Sequence, residues 1–244
     1  MTLPSAATQY REPQHAREYD ADRFGGRFGQ WLEEREVALY LELLDGHDGP
    51  ILDAGAGTGK LAIPLARSGW SVVAADFSLE MLSVAREKAR RAECGGAFVV
   101  SDAHALGFRD RAFACTVASR LLMHLPDWRR AVGELCRVTR DVLVVDFPPP
   151  GSFARLESVW KRRIRRVSKG AHRGYATISP TDLAGELERH GFRIERVHRG
   201  FFLPVRVHRI LDRPRTSARV EAIFERIGWT ARLGAPVTVK ARRV

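Results

Sequence analysis

The eleven residues ILDAGAGTGKL, 51–61, constrain the fold more than any other stretch of the chain. A short apolar run, Ile51-Leu52, passes at once into Gly55, Gly57 and Gly59, so a strand delivers backbone without side chains to a place where a ligand can approach closely. Glycine alone does not name that ligand. A phosphate-binding P-loop needs Gly at the position of Ala54 and Ser or Thr at that of Leu61, and the dinucleotide pattern GxGxxG fails because Lys60 stands at its third glycine. The remaining pattern is acidic-x-Gly-x-Gly-x-Gly, beginning at Asp53.

Around this loop the chain alternates short apolar runs with helical segments. A helix over 17–44 is followed by the strand at 51–52, a helix over 58–67, a strand over 70–75, and a helix over 79–91 with Ser78 as its N-cap. Strands at 97–101, 113–118 and 142–147 follow, with a helix over 127–138 between the last two. After Pro148-Pro149-Pro150 come a basic amphipathic helix over 153–169, a helix over 181–190, a strand over 192–199, a helix over 220–227 and a strand over 236–241. Apolar strands separated by helices predict a largely parallel sheet covered on both faces. With no internal repeat and only single-turn Pro/Gly breaks, one domain over 1–244 is expected. It divides into a helical cap (1–48), a core (51–147), substrate-facing segments with a sixth strand (151–216), and a closing helix and strand (217–244).

Lys plus Arg number 40 against 29 for Asp plus Glu, a formal net charge of +11, which favours anionic partners. Cys94, Cys115 and Cys136 are spaced 21 residues apart without CxxC or Cys/His clustering, so no metal site or disulfide framework is expected and a reducing cytoplasm fits. The first residues, MTLPSAATQYREPQH, contain no apolar signal run and are expected to be loose through residue 12.

At ILDAGAGTGKL, and again at WSVVAADFS and AFVVSDAHAL, the sequence resembles the class I S-adenosylmethionine-dependent methyltransferases. LGFRDRAFACTVASRLLMHLPDW and the final APVTVKARRV are similar to the small-molecule and lipid methyltransferase (type 11-like) group, with Gly107 and Ala114 departing from its usual Pro and Asp. The resemblance, over about 17–244, implies an α/β, Rossmann-like three-layer α/β/α fold whose seven-stranded, mostly parallel sheet ends in an antiparallel strand. It implies S-adenosyl-L-methionine as cofactor and S-adenosyl-L-homocysteine as product. Asp53, Gly55, Ala56, Gly57 and Gly59 would meet the methionine part, Asp76 the ribose hydroxyls, and Asp102 with Ala103 the adenine. Phe77 and Met81 would wall the nucleoside, Tyr19 would close over it, and Arg120 with Leu121 would line the channel toward the acceptor. For Phe77 and Met81 plain core packing competes with this role, for Tyr19 helix packing, and for Arg120 a surface salt bridge. His124 is the catalytic candidate, as a base for a hydroxyl acceptor. His104, His172, His198 and His208 are no better placed in the sequence.

The expected acceptor is a hydroxyl or amine of a small-molecule or lipid-linked compound. Residues 155–173 hold eight Lys/Arg against Glu157, so the helix over 153–169 reads as a peripheral contact with the inner membrane face, a polyanion site, or a lid with a solvated basic face. Two other functions stay open: a nucleic-acid methyltransferase, disfavoured by the lack of base-stacking aromatics, and a non-catalytic cofactor-binding module.

Overall fold

A computed structural model of the chain describes residues 10–150 and 176–244. The helix expected over 153–169 and His172 lie outside the described residues. The elements are α1 (Pro13–Phe24), α2 (Gly26–Leu44), β1 (Ile51–Ala54), α3 (Ala62–Arg67), β2 (Val72–Asp76), α4 (Leu79–Arg91), β3 (Ala97–Val100) and β4 (Phe113–Ala118). A 3₁₀ turn (Leu122–His124) leads to α5 (Trp128–Val138), β5 (Thr139–Phe147), α6 (Pro180–Arg189), β6 (Phe192–Phe201), α7 (Val205–Leu211), α8 (Pro214–Arg226), α9 (Trp229–Leu233) and β7 (Ala235–Arg243).

The seven strands form one sheet in the order β3-β2-β1-β4-β5-β7-β6. Every pairing from β3 to β5 is parallel, and β7 runs antiparallel to both β5 and β6. This is the expected Rossmann-like fold with its reversed last strand. Both faces are buried, and the side-chain period of two divides them. Ile51, Val142 and Val144 pack with Tyr40, Leu43 and Leu65 under α2 and α3. Leu52, Leu143 and Val145 face Leu135, Leu183 and Leu187 on α5 and α6. Strand order reverses at β1, which sends the chain outward to β2 and β3 before it returns to β4 on the other side. A crevice opens there beyond the carboxyl ends of the strands.

Local chemistry sets several boundaries. Ser78 caps α4 by accepting from the Met81 amide at 3.1 Å, and Asp127 caps α5 by accepting from the Arg130 amide at 3.3 Å. Proline opens α1, α6 and α8, where its missing N–H costs nothing.

Two expectations need correction. The single helix over 17–44 is two helices, because the chain turns at Gly25-Gly26, with Gly26 at φ +79°. A Cβ on Gly29 would lie 2.3 Å from the Phe24 carbonyl oxygen, so three glycines permit a corner that no apolar periodicity reveals. The second correction concerns 200–227, where the only helix expected runs over 220–227. It holds α7 and a longer α8, with α9 beyond. A buried carboxylate ties them together: Glu221 accepts from the amides of Phe202 (2.7 Å) and Leu203 (3.0 Å) and meets His208 Nε2 at 2.9 Å. Those partners lie 13 to 19 residues away in sequence, beyond the reach of a local pattern.

Candidate functional site

The crevice is a cavity of about 520 Å³ over the carboxyl ends of β1, β2 and β4. Of the residues singled out above, Tyr19, Asp53, Gly55, Ala56, Gly57, Asp76, Phe77, Met81, Asp102, Ala103, Arg120, Leu121 and His124 all line it. Gly59 is not in the lining. Its φ is +82°, and a Cβ there would press on Ile63 and Ala85 at 3.0 and 3.2 Å, so this glycine serves the close approach of the loop to α3 and α4.

The loop after β1 is tied to β2. The Gly55 and Ala56 amides both donate to the Ala75 carbonyl, at 2.8 and 3.0 Å, and the Gly57 amide donates to Asp76 Oδ2 at 2.9 Å. Asp76 Oδ1 accepts from the Ser78 amide at 2.9 Å. Burial raises the Asp76 pKa while these amides pull the other way. Asp53 is nearly inaccessible, and burial, opposed by the Ala62 amide and reinforced by Asp76, pushes its pKa up to about 7. Among the described residues its Oδ2 has no hydrogen-bond partner, so the cavity presents a buried acceptor that a cationic or N–H donor would satisfy.

Asp102 differs from these two. It follows β3 with an exposed carboxylate that accepts from the His104 amide at 2.9 Å, and this bond holds its pKa below the usual range. The neighbouring Ala103 is buried, so at this wall of the cavity an accessible carboxylate stands beside apolar surface.

A band of charge closes the opposite side. Glu36 of α2 receives both Lys60 from the glycine loop and Arg120 from the end of β4. Burial alone would raise the Glu36 pKa, but Arg120 and Lys60 outweigh it and the carboxyl is held low. Both cations also lie over the Phe24 ring, each 4.9 Å from its centroid. Arg120 adopts φ +56° and its amide donates to Asp146, whose own pKa is pushed up to about 6 by burial. Arg120 is therefore bound into an inner network rather than a surface salt bridge.

His124 stands across the cavity on the 3₁₀ turn. Burial, with Arg23 and Arg120 nearby, lowers its pKa to about 4, so the imidazole is neutral at physiological pH. Its ring lies 5.6 Å from that of Tyr10, which also packs edge-on against Tyr19 and Phe77. Tyr10 falls in the N-terminal stretch expected to be loose. Instead its carbonyl accepts from Ser78 Oγ at 2.6 Å, and the residue sits on the cavity mouth. Thr58 donates to Asp20 at 2.6 Å and Lys88 pairs with the same carboxylate, clamping α1 over the glycine loop. Tyr10, Phe24 and Lys60 are lining residues that sequence reasoning missed. Only Lys60 carried a signal, as the residue that broke the dinucleotide pattern.

A family model described as a methyltransferase domain matches residues 51–141, which span β1 to the start of β5 and hold most of the lining described above. Over 51–141 the chain resembles a methyltransferase domain. Among curated relatives, the demethylmenaquinone methyltransferase of Thermus thermophilus is 38% identical over 144 residues, covering 56% of this chain and 65% of that protein. The malonyl-[acyl-carrier protein] O-methyltransferase of Pectobacterium atrosepticum is 32% identical over 139 residues, 56% of this chain and 53% of that one. The chain thus spans between about half and two thirds of the length of these relatives. The magnesium protoporphyrin IX methyltransferase of Synechocystis PCC 6803, solved with bound SAH, superposes with a TM-score of 0.65 at 17% identity over 95% of this chain and 94% of that one. That likeness establishes a shared fold.

Proposed function

We propose that the protein is an S-adenosylmethionine-dependent methyltransferase acting on a hydroxyl or amine of a small-molecule or lipid-linked acceptor. The observation that carries this reading is the convergence of Asp53, the Gly57 amide, Asp76 and Asp102 on one cavity at the strand-order reversal. The resemblance to a methyltransferase domain over 51–141 supports it, as do relatives named for quinone and acyl-carrier substrates. In this reading the whole chain acts as one unit, with residues 1–48 and 151–216 flanking the cofactor core and supplying the acceptor side.

The cavity suits the cofactor chemically. Asp53 Oδ2, buried and without a partner among the described residues, fits the ammonium of an amino-acid moiety. Asp76 keeps acceptor capacity for ribose hydroxyls beyond its two amide bonds. Phe77, Met81 and Ala103 supply apolar walls and Asp102 an accessible acceptor for an adenine amino group. When bound, S-adenosylmethionine supplies a methyl group activated by an adjacent sulfonium. This chain's part is then to orient the acceptor in line with that methyl and to exclude water, which can account for much of the acceleration. Tyr10, Tyr19 and α1 cover the mouth, while Arg120 and Leu121 border the acceptor side. His124, neutral at physiological pH, can accept a hydrogen bond from an acceptor hydroxyl, although with a pKa of about 4 it is a weak base. It therefore orients the hydroxyl more than it deprotonates it.

The test is incubation of the purified protein with methyl-labelled S-adenosylmethionine and host extract, followed by partition of the label. Label in the organic or small-molecule fraction is the expected result. Label in RNA would overturn the acceptor class, and binding without transfer would leave a cofactor-binding module. The same assay on a variant with the Lys/Arg residues of 153–169 replaced by Gln tests peripheral membrane contact through that segment, which predicts lower transfer to membrane-borne acceptors only.

A further inference from the structure

The chain between β6 and β7 forms a surface of which no residue is in the cavity lining. α7, α8 and α9 expose Ile210 (77%), Leu211, Ile223, Ile227, Trp229 and Leu233 to solvent. Ile223 on α8 and Ile227 at its C-cap are four residues apart, as are Trp229 and Leu233 on α9, so each helix turns an apolar stripe outward. The same stretch also exposes Arg206, Arg213, Arg215, Arg219, Arg226 and Arg232. The one exposed acid in 205–233, Glu225, is paired with Arg35 at 3.6 Å. Asp212 is half-buried and accepts from the Phe28 amide, and Glu221 is buried against His208, so the exposed acids are fewer than the exposed arginines.

The position of this surface follows from strand direction. β7 is antiparallel to both β5 and β6, and Phe201 at the end of β6 pairs with Ala235 at the start of β7. Residues 202–234 therefore lie beyond the carboxyl end of the sheet, the end on which the cavity opens. Asp212 and Arg209 anchor them to Phe28 and to the Arg23 carbonyl, at the corner between α1 and α2.

We propose that the face formed by 205–233 docks on an anionic lipid bilayer, aliphatic tips entering the acyl boundary and arginines reaching the phosphates. Exposed aliphatic stripes together with a mostly cationic set fit that interface. A second copy of the chain would bring the same arginines against themselves. RNA would leave the isoleucines unsatisfied, and Trp229 is already stacked on Phe224 at 5.8 Å. The proposal places the cavity mouth toward the membrane but does not depend on what the cavity catalyses.

The test is co-sedimentation of the full chain with vesicles of phosphatidylcholine alone or mixed with phosphatidylglycerol. Binding is expected only to the anionic vesicles and should weaken as salt rises. The Ile210→Ser/Ile223→Ser/Ile227→Ser variant should bind roughly tenfold more weakly, with circular dichroism and S-adenosylhomocysteine affinity unchanged. Should that variant misfold, Arg219→Glu/Arg226→Glu, which leaves the apolar stripes intact, is expected to show the same loss. The proposal is overturned by wild-type protein that ignores anionic vesicles, by folded variants that bind as well as wild type, or by a solution dimer that the isoleucine substitutions dissociate.

Discussion

Asp53 is a buried carboxyl whose pKa is pushed up to about 7, with one oxygen unpartnered among the described residues. Because the folded pKa lies above the unfolded value near 3.9, the native state retains a proton that the unfolded state has lost, and stability declines as pH rises from about 4 through 7. Asp53→Asn removes that dependence. The variant is expected to melt higher than wild type at pH 8, with the gain shrinking toward pH 4, in scanning calorimetry of the ligand-free protein. It should also bind S-adenosylhomocysteine more weakly, since the ligand's ammonium loses its counter-charge. Asp76→Ala removes the acceptor for two buried amides and, on the proposed reading, the ribose anchor. It should cost about 1–3 kcal/mol of stability and at least roughly tenfold in S-adenosylhomocysteine affinity by titration calorimetry. Unchanged affinity would place the ribose elsewhere.

At the scale of elements, the cavity depends on how α1 and α2 are seated. Gly29 has the Phe24 carbonyl where its Cβ would go, so Gly29→Ala forces the α1–α2 corner apart and should destabilise the protein by about 1–3 kcal/mol. Loosened α1 should show as faster protease cleavage near residues 13–24 and weaker ligand binding. Glu36, on α2, pins the glycine loop and the end of β4 together through Lys60 and Arg120. Glu36→Gln leaves two partly buried cations without their partner, an expected loss of about 3 kcal/mol by denaturant unfolding. These couplings join elements more than twenty residues apart. That is why the sequence, which shows α2 as a helix with an apolar stripe, carries no sign that its polar face reaches the site.

For the whole molecule, a ligand that binds only the folded chain stabilises it by mass action. S-adenosylhomocysteine at a hundred times its Kd should add about 2.7 kcal/mol, raising Tm by roughly 5–10 °C for a chain of this size. The same ligand concentration should stabilise Asp76→Ala by no more than about 1.4 kcal/mol, about half the wild-type shift or less, because its Kd is at least roughly tenfold weaker. A wild-type Tm indifferent to the ligand would remove the cofactor from the proposed function.

What the sequence determined by itself is the part written in local periodicity and turn chemistry. The strand-glycine-helix unit at 51–61, the alternation that gives a sheet buried on both faces, the Ser78 cap, and the strand-end acids Asp53, Asp76 and Asp102 are each readable because residue type and short spacing dictate the backbone. What only the tertiary structure decided rests on contacts between distant segments. The corner at Gly25-Gly26 looks like a tolerated glycine pair until Phe24 is seen closing on Lys60 and Arg120. Tyr10 has no pattern to announce it, and it is held by Ser78 and a ring cluster from three other segments. The helices α7 and α9, seven and five residues long, lie below the length at which a helix stands alone in water. The buried Glu221–His208 pair and its amides draw α7 and α8 together, and the rings of Phe202 and Phe224 receive Trp229 of α9. Local propensity sets which elements can form; the burial of charge and rings between them sets where they sit.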